Sequence, residues 1–347
     1  MSTVGLVVNP TAGHGRGAAA GGRTADALHA AGHDVLHLGA PSHPLAQEAA
    51  DAAVRGGSVD ALVVVGGDGM VHLGVNAVTG TGVPLGVVAV GTGNDFAHAA
   101  GLPTGAATPC VDALLDAVTR SRVRHLDAVR VTGPHLPAPR WYAGVLSAGV
   151  DAAVNAHANA AAWPRGRARY ARSALREIAR YRPYGYRVTL HGATAPDGDP
   201  PPDVVAGVPL QAEDAPTPGP GTAPLVWQSP GALVAVANGP RIGGGIRIAP
   251  DAALDDGLLD VVLAGPLTRW HAATTFPGMY AGRHLHRPGV GTLRARAVTI
   301  EATDAGAPPP HAFADGEHLG PMPLRAEVVP GALTVLHPDG NPGGAAR

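Results

Sequence analysis

The chain contains no lysine; all 25 of its basic residues are arginine. That absence excludes a Walker-type phosphate loop, a kinase that pairs a strand lysine with its nucleotide, and any mechanism through a lysine Schiff base. A single cysteine, Cys110, excludes an internal disulfide framework and a multi-cysteine zinc site. Net charge is nearly absent as well, 25 basic against 27 acidic residues, so no global basic field draws in nucleic acid. No apolar run reaches the roughly 18 residues of a membrane-spanning helix. Met1–Gly5 carries no basic leader before a first strand, and together these features predict a cytoplasmic protein. What remains is ordinary globular material. The 347 residues correspond to about two domains at roughly 150 residues each. With 45% hydrophobic and 15% charged residues, the chain is not globally disordered.

The first part of the chain alternates strand and helix. Val4–Val8, Val35–Leu38, Ala61–Val65 and Leu85–Val90 read as short apolar strands. Gly17–Ala31, Leu45–Val54, Val71–Val78 and Val111–Val118 read as helices between and after them. Such alternation predicts a parallel sheet in an α/β domain, residues 1–125. Beyond it strand-like runs dominate, interrupted by one helix at about Ala168–Tyr181, which predicts a second, mainly β domain over residues 126–340. Residues 193–231 are rich in proline and glycine and predict a flexible insertion without packed structure.

Three of the four early strands run into glycine-rich loops. The first is Asn9-Pro10-Thr11-Ala12-Gly13-His14-Gly15-Arg16-Gly17, the second Gly66-Gly67-Asp68-Gly69-Met70, the third Gly91-Thr92-Gly93-Asn94-Asp95-Phe96. Ligands of open parallel sheets bind beyond the carboxyl ends of the strands. Glycine lets backbone N–H groups approach a bulky anion, and helix N-termini behind them favour negative charge. Arg16 adds a permanent cation with a bidentate fork, and Asp68 a carboxylate suited to Mg²⁺ or its waters. One such loop is usually only a turn; three at one sheet edge point to a phosphate cradle. Gly13, Gly15 and Ala18 also fit a dinucleotide fingerprint. However, the acidic residue expected after the second strand is missing, since Val35–Leu38 runs into Gly39-Ala40-Pro41.

Asn9-Pro10 with Gly13, then Gly66–Gly69, then Gly91-Thr92 with Asn94-Asp95-Phe96-Ala97, resembles the soluble diacylglycerol kinase catalytic family, which is similar to sphingosine and ceramide kinases. The resemblance continues through Tyr142–Asp151, Gly243–Asp260 and Phe313–Glu317, and covers nearly the whole chain outside 193–231. It implies a nucleotide-binding α/β domain with a parallel sheet, like that of NAD kinases and diacylglycerol kinases. A mainly β lipid-kinase domain would follow, with a cleft between the two. The implied reaction is transfer of the ATP γ-phosphoryl group to the hydroxyl of diacylglycerol or a related long-chain lipid alcohol. The resemblance implies that Asn9, Pro10, Thr11, Ala12, Gly13 and Arg16, with Gly66, Gly67, Asp68, Gly69, Met70, Val71 and His72, hold ATP, and that Thr92 and Asn94 line the same site. It implies that Asp68 organises catalytic Mg²⁺ and that Glu317, with Asp315 beside it, is the acid/base. It also implies a structural Mg²⁺ held by Asp256 and the carbonyls of Ala253 and Leu258. Read without the resemblance, Asp315-Gly316 and Asp256-Gly257 are turn dipeptides. Met70 departs from the threonine usual after this Gly-Gly-Asp-Gly, and His72 stands where a small polar residue is common. A thioether donates no hydrogen bond.

Arg165–Arg187 holds eight arginines and one acid, Glu177. Arg165, Arg169, Arg172, Arg176 and Arg180 share one helical face, while Ala171, Leu175 and Ile178 are expected on another. This predicts either a packed helix with a solvated outer face or peripheral docking on anionic lipid at the inner membrane face. His284 and His286 lack a third ligand at zinc spacing. Two other readings stand beside the lipid kinase: a kinase of a soluble acceptor such as NAD or a secondary metabolite, and a non-catalytic nucleotide or lipid sensor. Whether the chain is a monomer or a homodimer stays open.

Overall fold

The computed structural model describes residues 2–160, 167–213 and 223–342, and the side chains of all of these except 159–160, 167–171 and 341–342. Its elements begin with β1 (Thr3–Val8), α1 (Ala12–Ala30), β2 (Asp34–His37), α2 (His43–Arg55), β3 (Ala61–Gly66), α3 (Asp68–Val78), β4 (Leu85–Ala89), α4 (Asp95–Ala100) and α5 (Ala107–Thr119). There follow β5 (Arg122–Thr132), β6 (Arg140–Tyr142), β7 (Val145–Gly149), α6 (Val150–Ala160), α7 (Arg167–Arg180), β8 (Tyr184–His191), β9 (Val204–Val205), β10 (Val208–Pro209), β11 (Gln211–Ala212), β12 (Leu225–Gly231) and β13 (Leu233–Ala237). The chain continues with β14 (Leu259–Ala264), α8 (Arg269–Met279), β15 (Val290–Ala295), β16 (Ala297–Ala302), β17 (Ala312–Ala314), β18 (Glu317–Gly320) and β19 (Leu324–Leu336). Two compact units result: residues 1–128, 254–256 and 329–347, and residues 129–253 with 257–328.

In the first unit β2, β1, β3 and β4 lie side by side in that order, all parallel. The expected parallel α/β sheet is present. Every residue of β3, Ala-Leu-Val-Val-Val-Gly, is buried, because α1 and α5 pack together on one face and α2 and α3 on the other. Val63 and Val65 join Leu28 of α1 and Leu114 of α5 in one core cluster. The order places β1 and β3 side by side at the point where the sheet winds outward in both directions, which is where α/β sheets bind ligands.

The second unit contains a six-stranded sheet, β15-β14-β13-β7-β17-β18. It also contains the antiparallel run β12-β8-β16, continued by residues 324–327 of β19. Leu146, Val234 and Val261 from the first set share a core with Val188, Trp227 and Ile300 from the second, so the two sets pack as layers. Successive strand residues point to opposite faces. Val234 and Val236 face that core, while Leu233, Ala235 and Ala237 belong to another cluster with Tyr181, Ile242 and Ile248. This two-sided burial explains why β13 is uninterrupted apolar sequence.

Three expectations need correction. First, part of 193–231 is packed: Val205, Ala206 and β12 are core, while most of the described residues 196–213 are exposed. β12 pairs with β8 along its whole length, and the Trp227 indole, fully buried, donates to the Val205 carbonyl at 3.1 Å. Proline and glycine there mark turns between short strands; residues 214–222 lie outside the described set. Second, among the described residues α6 and α8 accompany α7, so three α-helices interrupt the strands instead of one. Alanine-rich α6 hid in an apolar stretch, and α8 carries two threonines and Pro277, which mask its period. Third, Leu175 is 69% exposed on the outer side of α7, whereas Ala174, Ile178 and Tyr181 turn inward. Arg165 lies outside the described residues, and of Arg169 only the backbone is described.

Candidate active site

Because β1, β3 and β4 are parallel, their three loops leave the same sheet edge, and the structure joins them there. Asn9 N–H donates to the Val65 carbonyl at 3.0 Å, and the N–H groups of Val90 and Gly91 both donate to the Gly66 carbonyl. The Asp68 carboxylate accepts the Phe96 N–H at 3.3 Å. Gly91 and Gly67 cross so closely that a Cβ on Gly91 would collide with the Gly67 Cα. In the first loop Gly13, His14 and Gly15 are left-handed, with φ of 58°, 64° and 91°, before the regular part of α1. Such conformations turn successive N–H groups toward a common concavity. A Cβ on Gly13 would meet the Val90 carbonyl.

The side chains divide into braces and rim. Asn9 Oδ1 accepts both the Thr11 N–H and its hydroxyl, at 3.1 and 2.9 Å. Arg16 Nε donates to Gly13 O at 2.8 Å and Nη1 to Gly105 O at 3.1 Å, which leaves further guanidinium N–H groups for an anion. Pro10, Thr11, Arg16 and Thr92 are exposed, and Ala12, Gly67, Asp68 and Gly69 partly so. Asn94 is 5% exposed, takes φ 58° and donates Nδ2 to the Ala89 and Gly91 carbonyls. Its Oδ1 is buried with no partner among the described residues. Met70, Val71 and His72 are 6%, 4% and 6% exposed. The Met70 side chain packs against Gly66, so in this segment the rim is Gly67–Gly69 and the next three residues form the wall behind it.

The second unit presents Glu317 on a two-residue hairpin. Ala314 pairs with Glu317, and Asp315 and Gly316 between them have φ of 51° and 85°, the two positive values of a type I′ turn. The Asp315 carboxylate accepts N–H groups from Ala143, Gly144 and Val145 at 3.0–3.1 Å. Asn238 holds the same turn, its Nδ2 donating to Ala143 O at 2.9 Å. The Asp315 carboxylate thus clamps the hairpin that carries Glu317. Its charge, second to burial, also raises Tyr142, whose hydroxyl donates to Val236 O. Among the described residues no hydrogen bond or ion pair occupies the Glu317 carboxylate, which is half-buried.

Asp256 is exposed in segment 254–256 of the first unit, tied there by Leu254 O accepting the Asp127 N–H and by the ion pair of Asp255 with Arg124. Ala253 and Leu258 are part-buried residues of the second. Among the described residues no group of three or more His, Cys, Asp or Glu is arranged to hold a metal. The donors at Asp68 and around Asp256 are carboxylate and carbonyl oxygens, the hard ligands that suit Mg²⁺.

One feature escaped sequence reading as a site. An apolar cavity of about 100 Å³ lies within the second unit, between the six-stranded sheet and the helices, lined by Val154, Ile178, Leu233, Phe276 and Met279 among others. Two of its lining residues, Asp151 and His284, each hold a buried polar atom with no hydrogen-bond partner among the described residues. Asp151 Oδ1 accepts the Ala152 N–H, but Oδ2 is buried without a partner, and burial pushes this carboxyl up to about 7 against the pull of Ala152 N–H and the nearby Ser147 hydroxyl. His284 is 2% exposed; its Nε2 meets Ile248 O at 3.0 Å, so Nε2 carries the proton and the orphaned Nδ1 is an acceptor. Burial lowers this imidazole. The only hint in the sequence was a lone acid in the apolar run Val145–Val154. β7 connects the two features of the unit: the Asp315 clamp grips Val145 at its start, and Asp151 lies in the first turn of α6 beyond its far end, past roughly 13 Å of strand at about 3.3 Å per residue. The structure thus does not bring Asp151 beside Glu317.

No helix among the described residues is long and apolar enough to cross a membrane. Residues 3–131 match the family Diacylglycerol kinase catalytic domain, and residues 144–337 match YegS C-terminal NAD kinase beta sandwich-like domain. A protein named Diacylglycerol kinase from Mycobacterium tuberculosis (strain ATCC 25618 / H37Rv) is 32% identical over 339 residues, 97% of this chain and 96% of that one. A Xanthomonas oryzae pv. oryzae (strain MAFF 311018) protein named Probable lipid kinase YegS-like is 28% identical over 297 residues, 82% and 81% of the two chains. The crystal structure of a diacylglycerol kinase from Bacillus anthracis str. Sterne superposes with a TM-score of 0.62, covering 99% of this chain and 98% of that one. At 19% identity that likeness bears on the fold alone. Use of ATP and Mg²⁺ is typical of kinases built on this catalytic domain. The chain therefore belongs to the diacylglycerol kinase catalytic-domain family and is a lipid-kinase-like phosphotransferase.

Proposed function

We propose that the protein transfers the γ-phosphoryl group of ATP to the hydroxyl of diacylglycerol or a related long-chain lipid alcohol, in lipid metabolism at the cytoplasmic face of a membrane. The loops of residues 9–17, 66–69 and 91–95 hold the triphosphate through backbone N–H groups, with Arg16 adding charge-assisted hydrogen bonds. Asn94 Oδ1 is a buried acceptor that a nucleotide donor group satisfies. Met70 replaces the family's usual hydroxyl at no cost to this set, because its side chain is part of the wall and the contacts are backbone ones. Asp68 would hold catalytic Mg²⁺, and Asp256 with the carbonyls of Ala253 and Leu258 would hold a structural one. When bound there, the catalytic Mg²⁺ would neutralise charge that builds on the transferring phosphates.

Glu317 accepts the proton of the acceptor hydroxyl as its oxygen bonds to the γ-phosphorus and ADP leaves; the product is a phosphate monoester. Asp315 and Asn238 fix the hairpin so that this carboxylate is held in place without being neutralised. The apolar cavity takes the aliphatic part of the acceptor. That cavity, lined almost entirely by hydrocarbon, is the observation that carries the lipid reading over a soluble acceptor. α7 supplies a cationic face toward anionic lipid. The test is label transfer from [γ-³²P]ATP to long-chain diacylglycerol in mixed micelles, with NAD in parallel. Labelled lipid is expected; label on NAD with none on lipid would reject the assignment.

A further inference from the structure

α8 is unusual in having no buried residue. Ala272, Thr275, Phe276 and Met279, spaced three and four apart, line the apolar cavity along one stripe. Trp270, 74% exposed, lies on the opposite side of the helix, with exposed Thr274 and Pro277. α8 packs against α7, and Arg269 Nε at its start donates to the Tyr181 carbonyl at 3.0 Å. α7 faces the same cavity through Ile178. Its outer face is Arg172, Leu175, Arg176, Ala179 and Arg180, all exposed. Both helices thus turn an outer face away from one cavity, and the two faces carry an indole, a leucine and three guanidinium groups. Tyr280, 41% exposed, follows at the end of α8.

From α8 through β15 the chain carries arginines and no acid; α7 holds one acid, the part-buried Glu177, and Arg294 is paired with Asp260. Between residues 261 and 300 there are five arginines and no acid, in a chain whose net charge is -2. Aromatic residues with polar edges, an isolated leucine and arginines on one helical surface are the composition of an interfacial surface, with rings at headgroup level and cations at lipid phosphates. A second copy of the chain would bring like charges together across such a face. The cavity is also too small, at about 100 Å³, for two acyl chains. An occupant of that size needs α8 to move, and a helix with no buried residue of its own is weakly held.

We propose that the outer faces of α7 and α8 seat the protein on an anionic bilayer, with Trp270 in the headgroup layer, so that the cavity behind α8 opens toward the membrane. This rests on the lipid-kinase reading for its purpose, but not for its test. The experiment is sedimentation of the full chain with vesicles of phosphatidylglycerol and phosphatidylcholine at low salt. Turnover is measured separately on a short-chain diacylglycerol dispersed without vesicles. Trp270→Ala is expected to weaken vesicle binding about tenfold, through lost apolar burial. Arg172→Glu, Arg176→Glu and Arg180→Glu together should weaken it at least about 100-fold, at roughly 1 kcal/mol per charge near the surface. Leu45→Ala, which removes an exposed leucine of the first unit, should leave it unchanged. An unchanged circular dichroism spectrum and melting temperature show that each variant is folded, whether or not the parent turns over lipid. Vesicle binding by Trp270→Ala or by the triple variant equal to that of the parent overturns the proposal, as does a shift in oligomeric state without a shift in vesicle binding. Lost vesicle binding in a protein whose parent phosphorylates no lipid supports the docking surface while rejecting the lipid-kinase reading.

Discussion

Replacing Asp151 by asparagine should remove a pH-dependent cost to folding. Burial raises the Asp151 carboxyl from an ordinary 3.8 to about 7. Below pH 4 it is neutral in both folded and unfolded chains and contributes no difference. Between 4 and 7 it is ionised only in the unfolded chain, so stability falls by about 1.4 kcal/mol per pH unit. Above pH 7 it is ionised in both, and the loss is complete, at about 4 kcal/mol relative to acid. Between pH 5 and pH 8 the parent should therefore lose about 2–3 kcal/mol more than Asp151→Asn. The new amide loses a partner at one end, but that cost of about 1–3 kcal/mol does not depend on pH and cancels in the comparison. Contributions of His284 and other titrating groups cancel in the same way, because both proteins carry them. Urea unfolding of each protein at pH 5 and pH 8, followed by tryptophan fluorescence, measures the double difference. Parallel pH dependences of the two proteins would refute the reasoning, since they would mean that Oδ2 reaches water or a partner.

Gly91→Ala should raise the Kd for ATP at least about tenfold, because its Cβ collides with Gly67 Cα and parts two of the loops; nucleotide titration checks it, with affinity for lipid vesicles unaltered. Asp315→Ala should cost about 3 kcal/mol of stability through the loss of three N–H contacts to one carboxylate. In thermal unfolding Glu317→Gln should melt like the parent. Cys110, buried and with its thiol pushed up by burial, should react with an aromatic disulfide reagent only after denaturant opens the first unit.

Much of this was legible in the sequence for identifiable reasons. β3 and its loop announced themselves because a five-residue apolar run ending in Gly-Gly-Asp-Gly satisfies both burial and turn chemistry at once. The strands of the second unit were readable for the same reason: Leu233–Ala237 is apolar on both faces because both faces are covered. α8 was not legible, since helical period is visible only when one stripe is apolar and the other polar, and its outer stripe carries Trp270. Leu175 was misplaced because an apolar residue was expected away from the arginine face, whereas apolar residues also stand at a surface. Asp315 shows a different limit. Its turn was evident from Asp-Gly, yet the clamp on residues 143–145 depends on strands β7 and β17 pairing across more than 160 positions of chain, which spacing alone cannot reveal. Trp227 lay in proline-rich sequence that resembled a linker, and only its pairing across β8 and its bond to Val205 show that it is core.

The most direct test of the account is phosphoryl transfer by Glu317→Gln, assayed with [γ-³²P]ATP and long-chain diacylglycerol beside an ATP-binding titration. Removing the base should lower kcat by about 10²–10⁴-fold and leave the Kd for ATP within about twofold. Turnover at the level of the parent would contradict the assignment of that carboxylate, and with it the proposed chemistry.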